Sequence, residues 1–223
     1  MIDTLIFDFD GIIIDTETPD YLSWQEVYHS HGVELESSLW SEFIGGGEVF
    51  DVYQHLEKLT GSRIDRDALK EQRRRRYLDI IESKPLLPGV MDYILEAKNL
   101  GLKLGVASSS SRDWVEGHLA TRDLLRHFDS VKSSDDVSNV KPDPELYLVS
   151  VAQMGTQPEN ALAIEDSVNG ITAAKQAGLY CVAVPNDMTR DMPIGHADLR
   201  LESLSDMPLK SLLTRLTEAG PSA

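Results

Sequence analysis

Cysteine is almost absent. Cys181 is the single thiol in 223 residues, so no disulfide can close within the chain. It sits in the apolar run Tyr180-Cys181-Val182-Ala183-Val184, where it reads as a packed strand residue rather than a nucleophile. A reducing compartment suits such a chain. Positive charge is also scarce: 21 Lys and Arg stand against 37 Asp and Glu, for a net charge of −16. Non-specific binding to nucleic acid, whose phosphates need Lys and Arg, is therefore not expected. The one basic run, Arg73-Arg74-Arg75-Arg76, makes no single patch, because consecutive residues splay around a helix. Its members read as solvated, or paired with acids such as Glu71 and Asp79. No apolar run approaches the roughly 18 residues of a membrane span. No basic stretch followed by an apolar one marks a secretory signal, so a cytoplasmic protein without a membrane partner is expected. Apolar residues make up 41 %, enough to bury a core in one large domain or a domain with a modest insert.

What is present is concentrated at strand ends. Leu5-Ile6-Phe7 reads as a buried strand, apolar on both faces as in a parallel sheet covered by helices. Asp8 and Asp10 follow, and Gly11 breaks the run. Residues two apart on a strand point to one side, so the two carboxylates repel unless a cation neutralises them or one keeps its proton. Two chemistries fit: an oxygen-ligated Mg²⁺ site, or a nucleophile paired with an acid/base. Acids that merely solvate a strand end are the plain alternative.

From residue 16 the pattern turns helical. Tyr21, Trp24, Val27 and Tyr28 make one apolar stripe, ended at His31-Gly32. Leu39, Trp40, Phe43 and Ile44 suggest a second helix, stopped by Gly45-Gly46-Gly47. Val49, Val52, Tyr53 and Leu56 suggest a third, and Leu69, Tyr77, Leu78 and Ile81 a fourth. Pro85 and Pro88-Gly89 then mark a return to alternating strands and helices, the pattern of βαβ units. Helices are expected at 90–99, 113–120, 142–154, 167–177 and 203–218. Strands are expected at 102–107, 130–132, 161–164, 180–184 and 197–201. The tail 220–223 reads as frayed. The fold class is α/β: a Rossmann-like parallel sheet core with helices on both faces, from 1–15 and 86–223, carrying an inserted all-helical cap domain at 16–85.

Three later strand ends carry further polar groups. Val106-Ala107-Ser108-Ser109-Ser110 offers hydroxyls and backbone N–H groups to an anion, although a serine-rich helix cap would look the same. Val140-Lys141-Pro142-Asp143-Pro144 places a cation on a rigid turn before a helix. Ala161-Leu162-Ala163-Ile164-Glu165-Asp166-Ser167 repeats the opening grammar of buried strand and then carboxylates.

The opening string DFDGIIIDTE, followed in order by the Ser108, Lys141-Pro-x-Pro and Glu165-Asp166-Ser167 stretches, resembles the motifs of the haloacid dehalogenase superfamily. The nearest resemblance is to its β-phosphoglucomutase-like members with a type C1 helical cap. The resemblance implies that Asp8 is a nucleophile forming an aspartyl phosphate and Asp10 an acid/base. It implies that Ser108, with the amide of Ser109, and Lys141 hold the phosphoryl group. Mg²⁺ is implied at Asp8, the Asp10 carbonyl and Asp166, with Glu165 ligating directly or through water. Dehalogenases lack an Asp where Asp10 stands, so phosphoryl transfer is implied. The mutase pattern has a His where Asp20 falls and an Arg after the cap glycine, where Gly45-Gly46-Gly47-Glu48 offers none. Arg73 stands in for the cap Lys by spacing alone. A phosphatase for a small phosphorylated metabolite, such as a sugar phosphate, is therefore favoured over a mutase or a non-catalytic binding module. Thr16, Asp20, Gly46, Glu48 and Arg73 are the expected cap contacts to substrate. A monomer or weak homo-oligomer is expected.

Overall fold

Leu5, Ile6 and Phe7 have no exposed surface, and the strand they form lies inside a sheet. A computed structural model describes residues 1–44 and 51–219. β1 (Thr4–Phe7) is followed by α1 (Glu17–Ser30), α2 (Ser37–Ile44), α3 (Val52–Thr60) and α4 (Arg66–Glu82). Then come α5 (Val90–Asn99), β2 (Lys103–Ala107), α6 (Arg112–Thr121), β3 (Ser130–Lys132) and α7 (Glu145–Met154). β4 (Ala161–Glu165), α8 (Val168–Gln176), β5 (Tyr180–Ala183), β6 (Leu199–Arg200) and α9 (Leu209–Ala219) complete the chain. The strands order as β3-β2-β1-β4-β5-β6, all parallel, the Rossmann-like arrangement expected from the alternating pattern.

The two-residue period of a strand sorts the core. Leu5 and Phe7 join Leu104, Val106, Leu162 and Ile164 on the face covered by α5, α6 and α9. Ile6 turns the other way, with Ala163 and Cys181, toward α7 and α8. Both faces are dry, which is why these strands are apolar throughout rather than alternating. Register then sets the chemistry. Phe7 pairs with Val106 on one side and Ile164 on the other, so Asp8, Ser108 and Glu165-Asp166 emerge at the same edge, the carboxyl ends of the strands.

α1 to α4 bury a separate cluster that includes Tyr21, Trp24, Tyr28, Trp40 and Leu56. No strand occurs among the described residues between α1 and α4. The chain enters and leaves this helical part side by side. Ile14 bridges Leu86 antiparallel, Lys84 Nζ lies 2.9 Å from Asp15, and Arg122 donates to the carbonyl of Ile81 at 3.0 Å.

Three elements differ from the sequence reading by more than one residue at an end. α7 starts at Glu145, not Pro142, because the intervening residues form a turn. Asp143 accepts from the Glu145 amide at 3.0 Å, and the Glu145 carboxylate closes the preceding loop on the amides of Ser138 and Asn139. The expected 203–218 helix is two pieces. Ser203 and Asp206 cap a single 3-10 turn reciprocally. Pro208 has no amide hydrogen, so α9 begins after it, where Glu96 accepts from the Leu209 amide at 2.9 Å. β6 is only Leu199–Arg200, an edge strand shorter than the 197–201 stretch. The expected helix stop at Gly45-Gly46-Gly47, Val49, and the 220–223 tail lie outside the described residues.

Candidate active site

The strand ends deliver their side chains into one small, dry space. Asp8 leaves β1 with its amide bonded to the Ile164 carbonyl at 2.9 Å, and its residue is 7 % exposed. Lys141 reaches it from the turn before α7. The ammonium donates to Asp8 Oδ1 at 2.6 Å, Glu165 Oε1 at 2.7 Å and the Ala107 carbonyl at 2.7 Å, which uses all three of its protons. Burial disfavours this ammonium, but the two carboxylates outweigh burial and hold it above the ordinary lysine range.

Glu165 is fully buried and already engaged. Besides Lys141, Tyr147 Oη donates to Oε1 and Ser167 Oγ to Oε2. Its carboxyl lies directly over α8: a Cβ on Gly170 would fall 1.9 Å from Glu165 Oε2. Gly170→Ala should therefore push Glu165 off Lys141 and cost about 1–3 kcal/mol, the usual scale of overpacking. Urea unfolding with a matched activity assay checks it, and an unchanged midpoint would refute the close fit.

Asp166 is 3 % exposed and accepts from Asn186 Nδ2 at 2.7 Å. Gly11, at φ +78°, allows this approach, since a Cβ there would meet Asp166 Oδ2 at 2.2 Å. Burial and the neighbouring carboxylates of Asp8, Glu165 and Glu17 push Asp166 well above the usual carboxylate range. Burial likewise pushes Asp8 up to about 8, with Lys141 opposing and Glu165 and Asp10 adding to the rise. One oxygen each from Asp8, Glu165 and Asp166 lies within 4.8 Å of the others. Three buried acids share one ammonium, so the fully ionised cluster would carry excess negative charge in a dry setting, which is why Asp8 and Asp166 hold their protons so strongly. That is the donor set a hard, oxygen-seeking divalent cation fits.

Asp10 faces the other way round the site. Ser108 Oγ and Ser110 Oγ donate to its Oδ2 at 3.2 and 2.7 Å, and Trp114 Nε1 donates to Oδ1 at 3.0 Å. Asp10 lines two adjoining cavities. One, about 230 Å³, also touches Asp8, Ser109, Lys141 and Asp166. The other, about 440 Å³, runs toward the helical part along Thr16, Glu17, Asp20, Arg73, Tyr77 and Trp114. Burial, then the surrounding acids, pushes the Glu17 carboxyl up to about 8.

A match to the haloacid dehalogenase-like hydrolase family spans residues 5–184 and takes in all of these strand ends. The chain belongs to that family. As a haloacid dehalogenase-like hydrolase it is 45 % identical over 216 residues to "Putative phosphatase YhcW" of Bacillus subtilis, covering 97 % of this chain and 98 % of the relative. It is 33 % identical over 216 residues to hexitol phosphatase B of Escherichia coli, covering 93 % and 95 %. Its fold matches the crystal structure titled "putative beta-phosphoglucomutase" from Thermotoga maritima with a TM-score of 0.79, 26 % identity, and coverage of 96 % and 100 %.

Asp8, Ser108, Ser109, Lys141, Glu165 and Asp166, expected from this hydrolase's motifs, converge as described. Thr16, Asp20 and Arg73 reach the larger cavity; Gly46 and Glu48 lie outside the described residues. The arginine run divides by direction. Arg73 turns inward to Asp20, while Arg75 pairs with Glu71 and Arg76 with Glu26. Three contributors escaped the sequence reading: Trp114, Tyr147 and Asn186; Ser110 stood in its serine stretch without a role of its own. Asn186 had a signal, an Asx residue just past Pro185 at the end of the apolar run 180–184. Its own Oδ1 accepts from the amides of Met188 and Thr189, which fixes the side chain toward Asp166.

Proposed function

We propose that this protein is a Mg²⁺-dependent phosphatase that hydrolyses a small phosphorylated metabolite through an aspartyl phosphate on Asp8. The observation that carries the reading is the Lys141 contact to Asp8 at the floor of a cavity that Asp10 also lines. Asp8 and Asp166, with the Asp10 carbonyl, would hold the cation. When bound, the cation would offset the charge of the phosphoryl oxygens and of the clustered acids.

The chain's own groups account for the rest. Asp8 attacks phosphorus, and the bond to the leaving oxygen breaks. Lys141 lies against the attacking carboxylate and balances charge as the phosphoryl group arrives. Ser108, buried at the end of β2, and the Ser109 amide hold that group. Asp10 gives a proton to the leaving alcohol and then takes one from the water that cleaves the aspartyl phosphate. Glu165 keeps Lys141 in place rather than meeting substrate.

In this reading 1–15 and 86–223 form the catalytic core, and 16–85 the cap that reads the alcohol portion and limits water. A phosphatase is favoured over a mutase because of Arg73. Its Nη1 donates to Asp20 and Ser23 and its guanidinium lies over the Trp24 ring at 4.7 Å, so its charge is already balanced within the helical part rather than left open for a second phosphate dianion. Glu17 and Asp20 in the same cavity suit a monophosphate with a neutral or cationic remainder. The phosphatase names of two relatives support the same choice. A cytoplasmic setting fits, and no helix among the described residues is long and apolar enough to cross a membrane.

A panel of phosphorylated metabolites assayed with Mg²⁺ and with excess chelator tests the proposal. Phosphate release that requires Mg²⁺ is expected. Full activity in chelator would refute the metal. Conversion of β-glucose 1-phosphate to glucose 6-phosphate without phosphate release would establish the mutase instead.

A further inference from the structure

The acid/base has two separate holders. Its Oδ2 accepts from Ser108 and Ser110, while Trp114 Nε1 alone among the described hydrogen bonds reaches Oδ1. In the reaction proposed above, an arriving phosphoryl group claims the Ser108 hydroxyl. A hydroxyl can rotate and turn acceptor; an indole N–H can only donate. Trp114 is thus a contact to Asp10 that cannot change role during turnover, and the one contact to Oδ1 among the described hydrogen bonds.

The indole is fixed on two sides. Its ring lies parallel to Tyr77, with centroids 5.7 Å apart and planes 9° apart, and edge-on to His118 at 4.2 Å. Tyr77 belongs to α4 and Trp114 to α6, so one side chain touches the acid/base through its nitrogen and the helical part through its face. Stacking of this kind holds a preferred geometry at modest energy.

We propose that Trp114 is a positioning residue that aims the Asp10 carboxylate and, through Tyr77, ties that aim to the placement of α4 over the cleft. The proposal rests on the phosphatase reading. Trp114→Phe keeps a ring against Tyr77 and removes the donor. Tyr77→Leu keeps the donor and removes the stacked ring.

The test follows enzyme phosphorylation by rapid quench with an alkyl phosphate, whose leaving group needs a proton, and with p-nitrophenyl phosphate, whose leaving group does not. Trp114→Phe should slow the alkyl ester about tenfold or more, the scale of a lost bond to a charged group, and the aryl ester less than about twofold. Tyr77→Leu should show the same bias. A purely structural role would slow both esters alike, and that result, or no change in either, overturns the proposal. An independent readout is the Trp114 indole N–H signal in a ¹H–¹⁵N spectrum, assigned by its loss in Trp114→Phe. Asp10→Asn should move that signal; an unmoved signal overturns the proposal without reference to activity. A wild type inert toward both esters would overturn the phosphatase reading and this proposal with it, whereas equal losses from an active wild type overturn this proposal alone.

Discussion

Asp8→Asn is expected to lower turnover by a factor on the order of 10⁴ or more, with no phosphoryl adduct detectable on the protein. The amide that replaces the carboxylate is a poor nucleophile. Folding should survive the change. Burial and like-charged neighbours already disfavour the Asp8 carboxylate, so a neutral amide of the same shape suits the crowded acidic cluster. Lys141 keeps the Glu165 carboxylate and the Ala107 carbonyl as acceptors. Intact-protein mass after acid quench, with a thermal melt as the folding control, separates lost chemistry from lost structure. Turnover retained within tenfold would mean that Asp8 does not carry the phosphoryl group.

Asp10→Asn should behave differently, because it spares the nucleophile and the backbone carbonyl. A loss of about 10²–10⁴-fold is expected with alkyl phosphates, the usual worth of a positioned proton donor. With p-nitrophenyl phosphate the first step should recover in part. Hydrolysis of the aspartyl phosphate still lacks its base, so the adduct should accumulate on the Asp8 peptide. A rapid-quench burst followed by peptide mass spectrometry reads both effects. Neither burst nor adduct from a variant that still binds Mg²⁺ would reverse the assignment of the two carboxylates.

The residues set by the backbone were legible in the sequence. Asp8, Ser108 and the Glu165-Asp166 pair each stand at the end of a largely apolar run, and parallel pairing carries every such strand end to the same edge. Lys141 was legible only through the resemblance of Lys-Pro-x-Pro to the family's motif, since a Lys before a helix by itself reads as a surface residue. What the sequence hid was set by side chains meeting across elements. Trp114 comes four residues after Ser110 and looks like one more apolar helix position until α4 supplies Tyr77 opposite it. Tyr147 reads as core, and its hydroxyl matters only because the Glu165 carboxyl lies over the same helix–strand seam. Arg73 is one of four identical neighbours, and only the approach of α1 to α4 selects it for Asp20. Helix 203–218 failed for a local reason, since periodicity took no account of the missing amide hydrogen at Pro208.

The paired crossing at Ile14 and Leu86 has a consequence for engineering. The two chain ends of the helical part lie side by side, latched by Lys84 to Asp15 and by Arg122 to the Ile81 carbonyl. None of these latches is a strand of the sheet. The helical part can therefore be treated as a cassette. A bundle from another family member, spliced near residues 15 and 85, would meet the same two ends at the same spacing. It would bring its own lining to the outer cavity and leave the Asp8–Lys141–Glu165 cluster untouched. Such a graft must match Trp114, which needs a flat partner where Tyr77 now lies, and Met188, which packs against the helical cluster.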